Sequence, residues 1–247
     1  NPMHLYGDYY NYVYASIHFM SWDKIEPIIA DCTKALKNLK TGPYTDDSDR
    51  ILFDLSFFLK LEHALLQGKV DCIPTILNKV EEEFVHIKED LDELYFLHYN
   101  YNFAYAHFMI GSYEKAQEYL VILHNSPILK SRKDYLGATH ILNLFTHYEL
   151  KNFDYLSYQL KNTKQLLQRQ ECLYGFEEKA ITLLAKLYKA KTEKEKTVIL
   201  EYHQIVFDDL AQQVWEIDAF ERFNIQYWLK QKSENTATCQ KKERANS

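Results

Sequence analysis

The sequence predicts an all-α protein, an α-solenoid of about five antiparallel helical hairpins. Three observations carry that prediction. The first is a phrase that recurs along the chain: an apolar helix end, a tight turn, then an aromatic or β-branched residue followed at +3 and +7 by apolar ones. It reads Met20-Ser21-Trp22 with Ile25 and Ile29, Gly68-Lys69-Val70 with Ile73 and Leu77, Gly111-Ser112-Tyr113 with Ala116 and Leu120, and Lys151-Asn152-Phe153 with Leu156 and Leu160. Its copies lie 48, 43 and 40 residues apart, a period that belongs to stacked helical hairpins rather than to a closed globule. The second is that apolar residues between the turns keep helical spacing. The third is composition: six Gly and five Pro in 247 residues leave little material for β-turns.

The elements follow in order. Residues 5–20 read as a first helix, with Tyr6, Tyr10, Tyr14 and Ile17 at helical spacing. Residues 22–39 pair with it, Pro27 sitting near the start, where few backbone N–H groups have partners to lose. Thr41-Gly42-Pro43 stops this hairpin, and Asp46-Asp47-Ser48-Asp49 offers N-caps for a helix over 48–67. Gly68 ends that helix, and one over about 70–87 follows with Pro74 in its opening turns. The third pair spans 90–110 and 113–124, stopping before Ser126-Pro127, and the fourth 132–150 and 153–170. A fifth begins near 173, turns at Lys191-Thr192-Glu193 and resumes with Thr192 to Glu195 as a capping box. Between 197 and 231 no Gly or Pro marks a break, and Val214, Ile217, Phe220, Phe223, Tyr227 and Trp228 suit an amphipathic closing helix. The repeat domain is thus 1–231, and the polar residues 232–247 form a disordered tail.

The third pair shows a family likeness: Asn102-Phe103-Ala104-Tyr105-Ala106-His107-Phe108-Met109-Ile110-Gly111-Ser112-Tyr113-Glu114-Lys115-Ala116. It resembles a tetratricopeptide repeat, the TPR family of antiparallel helix pairs that coil into a right-handed superhelix. The family's mid-helix small residue falls on Ala104, its Gly before the turn on Gly111, its aromatic on Tyr113 and its second small residue on Ala116. Small side chains let two helices approach, and Gly111 can take the left-handed conformation that ends a helix. Elsewhere Val13, Leu61 and Leu144 stand in the place of Ala104, and Ile25, Ile73 and Leu156 in that of Ala116. These larger residues imply wider spacing or altered crossing angles, and the repeats exceed the family's length of about 34 residues. The likeness covers roughly residues 5–190 and implies architecture alone.

The net charge of −6 has the wrong sign for a dedicated nucleic-acid binder. Cys32, Cys72, Cys172 and Cys239 form no C-x-x-C pair, so neither a zinc site nor a disulfide framework is expected; three of the thiols read as buried or half-buried and the fourth as lying in the tail. No apolar run approaches the ~20 residues of a membrane span. The chain opens Asn1-Pro2 rather than with Met, so targeting is not legible from this end, and room is left for further repeats before residue 1. The setting expected is the cytoplasm.

Motifs for chemistry are sparse. No P-loop, dinucleotide, nucleophile-elbow or H-E-x-x-H signature occurs. One Glu-x-x-His, Glu83-Phe84-Val85-His86, lacks the second copy that a carboxylate-bridged metal pair needs. His107 and His147 fall at equivalent places in consecutive repeats, where two imidazoles could share a metal or sense pH, but a flat half-polar filler is the stronger reading. The acidic stretch Glu81-Glu82-Glu83, Glu89-Asp90 and Asp92-Glu93, and the basic Lys186, Lys189, Lys191, Lys194 and Lys196, read as solvated surface.

What remains is a groove. The resemblance implies that the first helix of each hairpin lines a concave face, bringing Tyr10, Tyr14, Phe58, Glu62, Tyr101, Tyr105, Phe108, Phe145 and Tyr148 to it. Rigid rings offer contact area at low entropy cost, and Tyr keeps a polar handle for an extended peptide or a helix. The same rings could instead pack against the neighbouring repeat. The expected function is a non-enzymatic protein- or peptide-binding scaffold, without cofactor, metal, nucleic acid or membrane, and able to self-associate through exposed terminal repeats. A peptide-sensing domain of a larger regulator is the alternative within this fold; a metal-dependent helical enzyme is the competing class.

Overall fold

The computed structural model describes residues 10–39 and 48–234, and among them every regular element is helical. In chain order they are α1 (10–16), α2 (Trp22–Leu39), α3 (Ser48–Phe53), a π-helical turn (Asp54–Phe58), α4 (Leu59–Leu66), α5 (Ile73–Phe84), α6 (Glu93–Met109), α7 (Tyr113–Asn125), α8 (Lys133–Glu149), α9 (Phe153–Arg169), α10 (Gly175–Lys189), α11 (Glu193–Leu210), α12 (Ile217–Arg222) and α13 (225–234). No helix among them is long and apolar enough to cross a membrane. The helix expected over 48–67 is continuous but for its π turn, where the Leu59 N–H reaches Asp54 C=O. Tyr6, the Thr41-Gly42-Pro43 stop, Asp46, Asp47 and Cys239 lie outside the described residues. Pro27 falls inside α2 rather than in its first turn.

The recurring phrase folds the same way three times. Gly68, Gly111 and Lys151 adopt φ of 62°, 78° and 58°. Each is followed by a residue near the inverse γ-turn: Lys69 (−82°, 64°), Ser112 (−86°, 65°) and Asn152 (−79°, 61°). A left-handed residue ends one helix, and the γ-turn residue aims the next. Lys69 N–H on Ala64 C=O and Asn152 N–H on His147 C=O, at 2.9 and 3.0 Å, close the six-residue helix-ending loop. Glycine takes this conformation without strain, whereas a Cβ there costs about 1–2 kcal/mol. Lys151→Gly is therefore expected to stabilise the fold by roughly 1 kcal/mol, read as a raised urea midpoint; an unchanged midpoint would mean that the Lys151 turn carries no strain.

The equivalences hold in the core. Val13, Leu61, Ala104 and Leu144 are fully buried, as are Ile25, Ile73, Ala116 and Leu156. Ile29, Leu77, Leu120 and Leu160, one turn on, are buried too.

The chain divides into two compact units at Ile110–Gly111. In the first, the stretch α3–π–α4 packs against α2 and α5, and α5 against α6. Val13 of α1 and Ile17 just past its end join Ile25, Ile29 and Cys32 of α2 with Leu55 and Leu59 in one apolar cluster. Behind it Phe53, Phe58, Phe84, Tyr99 and Phe103 interlock edge to face, with ring centroids 4.5–6.3 Å apart. In the second unit α7 packs on α8, α8 on α9, and α10 on both α8 and α9 before pairing with α11.

The C-terminal expectation needs correction. Residues 214–228 do not make one closing helix: a 3₁₀ turn (Val214–Glu216) leads into α12, the chain breaks at Phe223-Asn224, and α13 follows. Two caps cause the break. Glu216 is buried and accepts from the N–H groups of Gly175 and Phe176 at 3.0 and 3.1 Å, satisfying the start of α10. Asn224 Oδ1 accepts from Tyr227 N–H at 2.9 Å, starting α13 afresh. Residues 232–234 belong to that helix rather than to a tail. Thr192 caps α11 as expected, but Glu195 bonds Lys191 N–H instead of closing a reciprocal box. Cys32 and Cys172 are buried, whereas Cys72 is exposed, at the foot of α5.

Candidate functional site

In the second unit Phe145, Tyr148 and Glu149 keep the spacing i, i+3, i+4 over the last turns of α8. The chain's own C-terminal segment lies on them. Trp228 of α13 meets Phe145 edge-on at 4.8 Å between centroids and Tyr148 at 5.9 Å, and Phe223 meets Phe145 at 4.8 Å. The Trp228 indole N–H donates to Glu149 Oε1 at 2.6 Å, and Lys232 Nζ, one turn along α13, pairs with the other carboxylate oxygen. The Tyr113 hydroxyl also bonds Glu149; burial first, then that carboxylate, pushes Tyr113 up to about 12. Tyr148 is likewise pushed up to about 12 by burial and then by Glu149. At the other end of α8, Asp134 receives Arg132 and Arg222, and the Arg222 guanidinium lies 4.1 Å from the Tyr135 ring centre. The residues α12–α13 thus clasp α8 along its length. On the far side of α13, an open cleft of about 700 Å³ is lined by Glu201, Gln204 and Ile205 of α11 with Asn224, Tyr227 and Lys230.

In the first unit the expected groove residues meet one another. Tyr10 stacks on Tyr14 at 6.2 Å; the Tyr10 hydroxyl donates to Asp54 at 2.7 Å and that of Tyr14 to Glu62 at 3.4 Å. The fully enclosed Asp54 also accepts from the Tyr99 hydroxyl at 2.6 Å and from Arg50 at 2.9 Å. Arg50 lies 3.9 Å from the Tyr95 ring centre and 5.6 Å from that of Tyr10. Burial raises the Asp54 carboxyl to about 6, against the lowering effect of its hydrogen bonds and of Arg50. Burial likewise drives the Tyr10 and Tyr99 hydroxyls up, with Asp54 adding to it.

The nine groove candidates thus fall into two groups. Phe58, Glu62, Tyr101, Tyr105, Phe108 and Phe145 are buried, whereas Tyr10, Tyr14 and Tyr148 are half-buried. Only the second group keeps ring surface open to solvent as the chain stands. Sequence reasoning missed Asp54, Tyr99, Glu149, Trp228 as a contact of α8, and Lys232. The signal for Asp54 was a lone acid in the apolar run Leu52-Phe53-Asp54-Leu55, since a charge is carried into a core only with partners. For the clasp it was Trp228 followed at one helical turn by Lys232.

Each of the expected histidines has its own contacts. His107 is buried and bonds Glu81 at 2.9 Å, while His147 lies 4.2 Å from Tyr155 between ring centres and bonds Asn152. The close pair is His124 of α7 and His140 of α8, 4.7 Å apart. Burial, with His124 adding to it, holds His140 down to about 3; His124 and His147 are lowered by burial as well. No group of three His, Cys, Asp or Glu side chains among the described residues could hold a metal ion.

A histidine held neutral binds its proton less readily folded than unfolded. Its stabilising share is complete above the unfolded value near pH 6.5 and is lost as pH falls toward the folded value. Acidification from pH 7.5 to 5 should therefore destabilise the α7–α8 pair by on the order of 2 kcal/mol through His140. The raised Asp54 works in the opposite sense, binding its proton more readily folded, so it adds stability to the first unit as pH falls from about 6 toward 4, against the loss from His63, which burial holds down there. Amide exchange at pH 7.5 and 5 should show α7–α8 loosening more than α3–α6, and His140→Gln should flatten the response. Equal loosening of both units would contradict this assignment.

Compared with known proteins, the chain matches no family model, no curated protein and no solved structure.

Proposed function

We propose that this chain is a TPR-like helical-repeat module that binds an amphipathic helix or peptide of a protein partner, working as a scaffold rather than as an enzyme. The recurring turn, the buried equivalent positions and the packing of α10 on both helices before it support a solenoid of hairpins. One observation carries the binding reading: the α8 row Phe145, Tyr148 and Glu149 already receives a helix, α13, through an aromatic anchor and a charge-assisted hydrogen bond. A partner segment of the same chemistry carries an aromatic with a Lys or Arg one helical turn on. Each unit offers ring surface of its own: Tyr10 and Tyr14 keep it in the first, where Phe58, Glu62, Tyr101, Tyr105 and Phe108 are buried, and Tyr148 keeps it beside buried Phe145 in the second. The setting that suits such a module is the cytoplasm.

The test supplies α13 in trans. A fluorescently labelled peptide of residues 217–234 should bind the full chain carrying Trp228→Ala with micromolar affinity, and much more weakly once Glu149→Ala is added. A peptide that fails to bind a folded Trp228→Ala chain would show that the row is ordinary core and not a receiving surface.

A further inference from the structure

The sides of α11 divide sharply. Leu200, His203, Phe207 and Leu210 are buried, whereas Val198, Tyr202 and Ile205 are exposed, Ile205 to 71%. These three keep the spacing i, i+4, i+7 and so form one stripe along the helix. Single exposed apolar residues are ordinary, but a continuous stripe marks a contact surface. Beyond the helix end Val214 and Trp215 extend the exposed apolar surface, Trp215 to 77%. Lys194 and Asp209 are exposed near the two ends of the stripe.

We infer that α11 pairs antiparallel with α11 of a second copy of this chain, about a two-fold axis passing between Glu201 and Tyr202. The order of residues along the stripe reads the same from both ends. An axis at that point sets Val198 against Ile205 of the second copy, and Lys194 against its Asp209; the symmetry repeats both pairings. Such a self-complementary patch is what a closed two-fold dimer requires. Parallel pairing would instead set Lys194 on Lys194 and Asp209 on Asp209, two like-charge contacts. The end charges thus favour a second copy set antiparallel over one set parallel, although Glu201, exposed beside the axis, lies next to its own copy. Lys186 of α10, 4.8 Å from the Tyr202 ring centre, holds that ring over the centre of the stripe. The inference concerns α11 alone and stands whatever the α8 row binds.

Sedimentation equilibrium of the full chain tests it. The wild-type chain should dimerise by ~100 µM, a modest affinity suited to a short helix pair. Ile205→Asp should be monomeric at that concentration with an unchanged circular dichroism spectrum, since the side chain is solvent-facing in the monomer. Lys194→Asp and Asp209→Lys should each weaken self-association about tenfold, because every dimer then holds two like-charge contacts. Mixing these two variants should restore dimers, because the mixed pair regains opposite charges at both ends. A monomeric wild type, a dimer that survives Ile205→Asp, or a mixture no stronger than its components would each overturn the inference.

Discussion

Asp54→Ala should unfold the first unit more readily by about 3–5 kcal/mol, the range for taking one partner from a buried ion pair. Three donors converge on this carboxylate: the Tyr10 and Tyr99 hydroxyls and the Arg50 guanidinium. Alanine leaves them aimed at a space with no acceptor, in a site where desolvation has already been borne. Asp54→Asn, which keeps an acceptor but loses the charge, should fall between the wild type and Ala. Because the chain has two units, global unfolding is not assured to be one transition, so amide exchange over α3–α6 is the appropriate probe. Exchange in α3–α6 no faster than in the wild type would mean that Arg50 and the tyrosines find other acceptors at little cost.

Trp228→Ala is the second large effect, about 3–5 kcal/mol against the second unit. The indole is buried, packs on Phe145 and Tyr148, and donates to Glu149, so its removal opens a cavity and leaves a buried carboxylate short of one donor. Exchange should rise through α13 and over the last turns of α8, while α3–α6 keep their protection. Trp228→Phe should cost less, retaining the ring contacts and losing only the N–H. If α13 exchanges as slowly in Trp228→Ala as in the wild type, Ile225 and Leu229, both fully buried, are its real anchors.

Much of the helical order was legible, because it is written in local chemistry. Turns announced by Gly68, Gly111 and Lys151-Asn152, and starts announced by Pro74 and Thr192, landed within a few residues of the observed ends. Lys151 shows why the pattern mattered more than the residue type: nothing about lysine favours positive φ, and only its place in the repeat pointed to the turn. The segment after 210 was illegible for the opposite reason. Its breaks are made by Glu216 capping a helix some forty residues earlier and by Asn224 restarting the chain, neither of which needs Gly or Pro. Periodicity also identifies a buried face without naming its cover. Phe145 and Phe58 keep the same spacing whether they face a ligand or a neighbour, and what lies on each is fixed by residues distant in sequence, Trp228 and Tyr99.

The central claim is that α8 receives α13 through a specific aromatic and acidic row. A double-mutant cycle between Glu149→Gln and Trp228→Phe measures it directly, since the indole N–H donates to that carboxylate and Lys232, which touches both residues, is kept in every variant. A coupling of about 1.5–3 kcal/mol, the worth of a hydrogen bond to a charged group, is the expected result. Additive effects of the two substitutions would contradict the account, showing that α13 is held by undirected apolar burial.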